Sequence, residues 1–203
     1  VKDLHEKGYL APADTFEFEI GGGEVAILSE FPQLMDVMLE HGFFYCYVMS
    51  SGIAYSETIA KMLQTPKTRF SVTISAGSRE VFKQIKKRDK FEQVKENLRK
   101  YISQAVDKNN IGVRYIIDEG YNDTEQDIKD WLDTCEEIGA TSLEICLDFC
   151  RGFEKKKGEP YSPKLKELID YFVRECEERN KNERRFYYSI DRTSQMILDR
   201  GHY

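Results

Sequence analysis

Two periods of apolar and polar residues alternate along this chain. Short runs rich in β-branched and aromatic residues predict strands, and stretches with apolar residues three or four positions apart predict helices between them. The predicted strands are 16-FEFEI-20, 43-FFYCYVM-49, 69-RFSVTIS-75, 111-IGVRYII-117, 142-SLEICLDF-149 and 186-FYYSI-190. Strands that alternate with helices at intervals of about 30 residues indicate parallel βα units, wound as an open sheet or a barrel.

Several helix ends can be predicted from capping residues. The helices that the pattern bounds best cover residues 91–106, 123–139 and 162–176. Asp123 with Gln126 resembles a capping box, and Gly139 is a natural C-terminal stop. Ser162 can cap the third helix, with Pro163 at its first position.

Composition narrows the class of protein. The chain has 203 residues, of which 40% are hydrophobic and 33% charged, and it reads as a single soluble domain, 1–203. Its net charge of −6 argues against nucleic-acid binding, and no apolar run reaches the roughly 20 residues that cross a bilayer. Five cysteines without framework spacing favour a reducing, cytoplasmic location. Cys146 and Cys150 are interpreted as buried thiols.

Ligands of parallel βα proteins lie at the carboxyl ends of the strands, so the residues after each strand are the candidate site. These stretches are 21-GGGE-24, 50-SSG-52, 73-TISAGS-78, 118-DEGYND-123 and 148-DFCRG-152. Glycines let the backbone turn sharply and approach a ligand, and a glutamate directly after them is placed to bind an ammonium group. The alternative for GGGE is a surface turn with a solvated glutamate.

The order of these strand ends resembles the radical S-adenosylmethionine (SAM) superfamily over about residues 1–152. Gly22, Gly23 and Glu24 match the family's GGE motif, with Val25 in place of its usual proline. Further stretches similar to the family are 47-YVMSSGI-53, 71-SVTISAGSREVFKQIKKRDKF-91, 113-VRYIIDEGYNDTEQDIKDWLDTCEEIGA-140 and 143-LEICLDF-149.

The resemblance implies a partial (βα) barrel of the TIM-like, radical SAM type that binds SAM. In that family the GGE segment holds the amino group of the ligand. Thr73 and Ser75 fall where the family reaches the ribose or carboxylate, although Ser75 replaces an aspartate. Arg114 falls where a basic residue lies near the ligand's carboxylate.

The family's chemistry requires a CxxxCxxC loop that binds a [4Fe–4S] cluster, which cleaves SAM reductively, and this motif is absent from the sequence. The GGE strand is the second in the family, so we expect the first strand and the cluster loop to precede Val1. The chain is then a truncated domain in which 1–152 provides strands 2 to 6 and 153–203 adds a helix and a strand. By itself it is expected to be inactive.

Other interpretations stay open. Substitution of the motif by Cys46, Cys146 and Cys150 is disfavoured. A barrel without its first strand exposes the edge of the second strand, so self-association through that edge is expected. Residues 186–190 are expected to form a strand that covers part of the gap left by the missing first strand. The chain can instead be a non-catalytic βα scaffold that binds a ligand or partner, or an unrelated barrel enzyme such as a lyase or aldolase. The substrate, a small molecule or a peptide, is not determined.

Four acidic residues have two readings each. Glu17 and Glu19 either point into the barrel or form a solvated strand face, and the solvated face is favoured. Asp118 and Glu119 are candidates for acid/base groups. The favoured reading for both is that they precede a helix whose dipole they stabilise.

Overall fold

The computed structural model describes residues 6–8, 17–21, 23–40, 45–148, 162–183 and 185–200. Its strands are β1 (Glu17–Ile20), β2 (Tyr45–Ser50), β3 (Thr68–Thr73), β4 (Ile111–Ile117), β5 (Ser142–Leu147) and β6 (Tyr187–Ile190). Its α-helices are α1 (Phe31–Glu40), α2 (Glu57–Met62), α3 (Arg79–Lys86), α4 (Phe91–Gln104), α5 (Glu125–Ile138), α6 (Pro163–Arg179) and α7 (Arg192–Arg200). Short 3₁₀ turns occur at Val25–Ile27 and Lys108–Asn110.

The six strands form one parallel sheet in the order β1-β2-β3-β4-β5-β6. The predicted parallel βα architecture is therefore confirmed. The additional strand expected at 186–190 is β6, which pairs with β5 at the edge opposite β1 and so does not pair with the exposed edge of β1. Within the described ranges no strand pairs with the outer side of β1, so the sheet has an open edge there.

The two faces of the sheet differ in polarity. One face packs against the helices through fully buried side chains, among them Val48, Phe70, Val72, Val113, Tyr115, Leu143 and Ile145. The opposite face, here called the open face, carries Glu19, Tyr47, Arg69, Ser71, Gly112, Arg114, Glu144 and Ser189. A parallel sheet covered on both sides has apolar residues throughout, whereas these strands alternate. The open face is thus suited to water or a polar ligand.

The predicted capping box of α5 is wrong by one residue. The N-cap is Thr124, whose side chain accepts a hydrogen bond from the amide of Asp127, while the carboxylate of Asp127 accepts one from the amide of Thr124. Asp123, the predicted cap, instead pairs with Lys164 at 2.8 Å. Asp123 is therefore not the N-cap, and Gln126 is not part of the box.

The caps predicted at Ser162, Pro163 and Gly139 are confirmed, whereas the helices predicted over 91–106 and 162–176 end at Gln104 and Arg179. Ser162 caps α6 and Pro163 is its first residue. Gly139 ends α5 with a φ of 79°, a left-handed conformation in which glycine avoids the Cβ clash. Among the described helices, none is both long and apolar enough to cross a membrane.

Candidate functional site

The turn after β1 is tied to the carboxyl end of β2 by the carboxylate of Glu24. Its Oε1 accepts a hydrogen bond from Ser50 Oγ at 2.7 Å and a longer one from the amide of Ala26 at 3.4 Å. Its Oε2 accepts from the amide of Ser51 at 3.0 Å and from the hydroxyl of Ser51. Glu24 therefore fixes the relative position of two neighbouring strand ends at the edge where βα proteins bind ligands.

The β2 end is itself locked by Gly52. This buried residue has a φ of 71°, and a Cβ here would lie 2.7 Å from a methyl group of Val72, so only glycine fits. The Gly52 amide donates to Ser50 Oγ at 2.9 Å, and its carbonyl accepts from Asn97 Nδ2 at 2.9 Å. The SSG stretch that the sequence singled out is thus a rigid partner for Glu24.

The acceptor capacity of Glu24 is largely used within the chain. A carboxylate offers about four acceptor positions, and four donors of this chain occupy them. Gly23, beside it, is exposed, and no atom lies within 4 Å of a Cβ built there. Gly22 lies outside the described residues. The predicted contact of the GGE segment with an amino group stays a prediction, in which an ammonium group replaces or shares a donor.

Thr73 and Ser75 lie at the carboxyl end of β3 in different environments. Thr73 is the last residue of the strand and is half-buried, whereas Ser75 is only 4% exposed. The Ser75 hydroxyl accepts a hydrogen bond from the amide of Ile116 at 3.1 Å. Ser75 thus joins the ends of β3 and β4, and its hydroxyl keeps its proton and one acceptor position for the predicted contact with the ribose, which stays a prediction.

Asn122 is a residue of this edge that sequence reasoning missed. It is fully buried, and its Nδ2 donates to the carbonyls of Ser75 and Ile116, each at 2.8 Å. Its Oδ1 accepts from the amide of Asp118 at 2.6 Å, and its own carbonyl accepts from the hydroxyl of Tyr115. The polar residues of the 118–123 loop predicted a loop at the ligand edge. They did not predict that the side-chain amide of Asn122 would hold the ends of β3 and β4 together.

Arg114 is held on the open face by two partners. Its Nε donates to Glu144 Oε2 at 2.5 Å and its Nη2 to the hydroxyl of Tyr47 at 3.2 Å. Burial alone would lower the pKa of Arg114, but the hydrogen bond and charge of Glu144 outweigh it and raise the pKa. The guanidinium is fixed and charged, and its remaining N–H groups are those that a ligand carboxylate would meet.

The acidic candidates lie at two different places. Asp118 and Glu119 begin the loop after β4, next to the strand ends. Glu19 is exposed on the open face, while Phe18 and Ile20 of the same strand pack against the core. The side chain of Glu17 lies outside the described residues. An acid/base role for Asp118 or Glu119 stays a hypothesis.

The cysteines do not assemble a cluster site in the described part of the chain. The strand register places Cys46 on the helix-covered face and Cys146 on the open face, so they cannot bind one cluster together. Cys150 lies outside the described residues, and no group of three His, Cys, Asp or Glu side chains suited to a metal occurs among the rest. Burial raises the pKa of Cys146 to about 12, which disfavours the thiolate that iron requires. These residues do not fit a [4Fe–4S] cluster.

Comparison with known proteins bears on this edge of the sheet. Residues 6–135, more than half of the chain, match the profile of the Radical SAM superfamily. No curated protein matches. SuiB from Streptococcus suis superimposes with a TM-score of 0.64 at 12% identity, covering 86% of this chain and 39% of SuiB.

Two further solved structures share the fold. A radical SAM methyltransferase from Sphaerobacter thermophilus superimposes with a TM-score of 0.58 at 12% identity, covering 93% of this chain and 53% of the methyltransferase. The protein anSMEcpe with bound AdoMet gives a TM-score of 0.62 at 17% identity, with 89% and 50% covered. The chain therefore spans 39–53% of the length of these proteins. From the profile match and the shared fold, the chain belongs to the radical SAM superfamily.

Proposed function

We propose that this chain is the SAM-binding core of a radical SAM enzyme. SAM would lie at the carboxyl ends of the strands, with its amino group at the turn containing Gly23 and Glu24 and its ribose or carboxylate near Thr73, Ser75 and Arg114. The observation that carries the proposal is the carboxylate of Glu24, which joins the ends of β1 and β2 at the matched motif. The same fold in anSMEcpe holds AdoMet.

The chain's own groups suit the charges of SAM. The ammonium group of SAM would replace or share one of the four donors that hold the Glu24 carboxylate, so little side-chain entropy remains to be lost on binding. The exposed Gly23 leaves the backbone open to close approach. Arg114, positioned by Glu144 and Tyr47, supplies N–H donors for a carboxylate.

A radical SAM enzyme that carries the cluster, here called the parent, and these 203 residues are proposed to differ in activity. In the family, a [4Fe–4S] cluster supplies the electron that cleaves SAM reductively. The 203 residues contain no CxxxCxxC, and the described cysteines do not converge, so we propose that the chain by itself binds SAM without cleaving it. The substrate of the parent is proposed to be a small molecule or a peptide, with the support that SuiB was solved with its precursor peptide SuiA.

Calorimetric titration of the chain with SAM tests the site. Glu24→Ala removes the group that joins β1 and β2, and we expect SAM affinity to fall by about tenfold or more, the loss of one charge-assisted hydrogen bond. Glu80→Ala removes an equal charge from an exposed position on α3 and is the matched control. Equal affinity of wild type and Glu24→Ala would refute the role of Glu24, and no saturable binding by wild type would refute the SAM site.

A second candidate is a non-catalytic βα domain that binds a ligand or partner. It is favoured by the separation of Cys46 and Cys146 on opposite faces of the sheet. Anaerobic reconstitution with iron and sulfide distinguishes the two candidates. A stoichiometric cluster, seen in the visible spectrum and by iron analysis, would rule out the non-catalytic domain. SAM binding without iron uptake would leave the proposed core intact and exclude cleavage by this chain alone.

A further inference from the structure

The open face contains a cavity of about 650 Å³ away from the proposed SAM site. All six strands contribute to its walls, and the turns that follow the strands do not. The lining residues include Glu19, Tyr47, Arg69, Ser71, Gly112 and Glu144. Its volume is within the range of small-molecule sites, about 300–1,000 Å³. Arg69 precedes Thr73 by four residues, so this cavity lies about 13 Å along β3 from the ligand edge.

One row of residues across the cavity carries an acidic and a basic side chain, Glu19 and Arg69, that do not contact each other. The register pairs Glu19 with Tyr47 and Tyr47 with Arg69. Two strand spacings separate the backbones of Glu19 and Arg69, about 10 Å. Both side chains are exposed, and within the described ranges neither carboxylate nor guanidinium has a hydrogen bond or an ion pair.

The other charged pair on the same face is already neutralised. Arg114 is bound to Glu144, and its contact with the hydroxyl of Tyr47 leaves that hydroxyl its own proton to donate. The charged side chains of the cavity lining that have no partner within the described ranges are therefore the carboxylate of Glu19 and the guanidinium of Arg69, with Tyr47 between them in the register.

The middle of the cavity is kept open by a glycine that packing does not require. Gly112 lies within β4, between Ser71 and Ser142 in the register. A Cβ built on it would meet only one atom, the carbonyl oxygen of Phe70 at 3.9 Å, and Gly112 does not have positive φ. Glycine weakens a strand interior, and a common reason for it is the close approach of a ligand.

We propose that this cavity binds a short zwitterion: a free amino acid or a peptide of two or three residues. Its ammonium group lies at Glu19 and its carboxylate at Arg69, so that its backbone passes beside the hydroxyl of Tyr47 and its carboxyl-terminal side chain extends towards Gly112 on the next strand. A ligand with one charge would leave the opposite group uncompensated. The inference goes beyond SAM binding. Tyr47 and Glu144, which position Arg114, also line this cavity, but Glu19, Arg69 and Gly112 have no role in the proposed SAM site, so variants at these three positions test the cavity independently.

Binding is measured by calorimetry with L-alanine, dialanine and trialanine, which carry the same two termini at increasing separation. We expect saturable binding of at least one of them. N-acetylation or C-terminal amidation of that probe should each weaken binding by about ten- to hundredfold, because each removes a charge-assisted hydrogen bond.

Three variants of the protein complete the test. Gly112→Val fills the floor of the cavity with a residue that favours strands, so binding should be lost while the melting temperature is kept or rises. Arg69→Gln and Glu19→Gln should each weaken binding about tenfold or more, with exposed Arg88→Gln and Glu80→Gln as matched controls. Should Gly112→Val fail to fold, Gly112→Ala and Arg69→Gln carry the test.

Three results would contradict or relocate the proposed zwitterion site. No binding of any of the three probes would refute the proposal that the cavity binds a zwitterion. Equal affinity for the acetylated or amidated probe would refute it too. Unchanged affinity in Gly112→Val would place the ligand elsewhere. SAM titrations of the same variants separate the sites: these variants should bind SAM as wild type does, and a failure of the SAM site would leave this result untouched.

Discussion

Replacing Asn122 by alanine should cost more stability than its polar, loop-borne position suggests. The side chain is fully buried and makes three hydrogen bonds, to the carbonyls of Ser75 and Ile116 and from the amide of Asp118. Alanine leaves these three backbone groups without the Asn122 partner, and because the side chain is fully buried, water does not replace it there. Each such loss costs about 1–3 kcal/mol, and with partial relaxation we expect a decrease of about 3–5 kcal/mol in the free energy of unfolding.

The assay is urea unfolding followed by the fluorescence of Trp131, the single tryptophan, which is itself fully buried. For a chain of this length, the expected change corresponds to about 6–20 °C in melting temperature. Asn182→Ala, an exposed position outside the helices and strands, is the matched control and should change stability by less than about 0.5 kcal/mol.

Asn122→Asp separates the acceptor role of the Asn122 side chain from its donor role. Aspartate keeps an acceptor for the amide of Asp118 but replaces the Nδ2 donor by an oxygen that faces two carbonyls. It should therefore destabilise at neutral pH at least as much as alanine. A loss below about 1 kcal/mol for Asn122→Ala, or a milder effect for Asn122→Asp, would refute the idea that this amide holds the ends of β3 and β4 together.

The remaining predictions concern packing and pH. Gly77→Ala should destabilise by about 3 kcal/mol or more or prevent folding, because the added Cβ would lie 2.1 Å from backbone atoms of Asp130 and Trp131; a soluble variant with wild-type urea midpoint would contradict this. Burial raises the pKa of Cys146 and of Cys176 to about 12 from a usual value near 9. The unfolded chain loses these protons first, so stability should fall as pH rises from about 9 towards 12, by up to about 1.4 kcal/mol per pH unit for each thiol. Urea midpoints between pH 8 and pH 10.5 check this, and Cys176→Ala should show a shallower decline than wild type; equal slopes would show that Cys176 does not contribute.

The fold was predictable because its signals are local. Six apolar runs and their spacing predicted the parallel βα order, and Ser162, Pro163 and Gly139 predicted helix ends that the structure has. The capping box of α5 was misplaced by one residue, because Asp123 and Thr124 are both good caps; the box lies at Thr124 and Asp127, and Asp123 pairs with Lys164, 41 residues away. No local pattern contains that ion pair.

The candidate site was predictable only as a set of loops. Motif resemblance pointed to Glu24, Ser75 and Arg114, and all three lie on strand ends or on the open face as expected for a βα protein. Their present partners did not follow from the motif: Glu24 is bound to Ser50 and Ser51, Ser75 to the amide of Ile116, and Arg114 to Glu144. These contacts join neighbouring strands and therefore depend on the register.

The sequence by itself determined the order of strands and helices, the family and the polarity of each strand face, because these follow from periods of two and 3.6 residues and from short motifs. Only the tertiary structure decided that Glu19, Tyr47 and Arg69 form one row, that Gly112 leaves the floor beside it open, and that Cys46 and Cys146 lie on opposite faces. A shift of one residue in any strand pairing would reverse those placements while leaving the apolar pattern of the sequence unchanged.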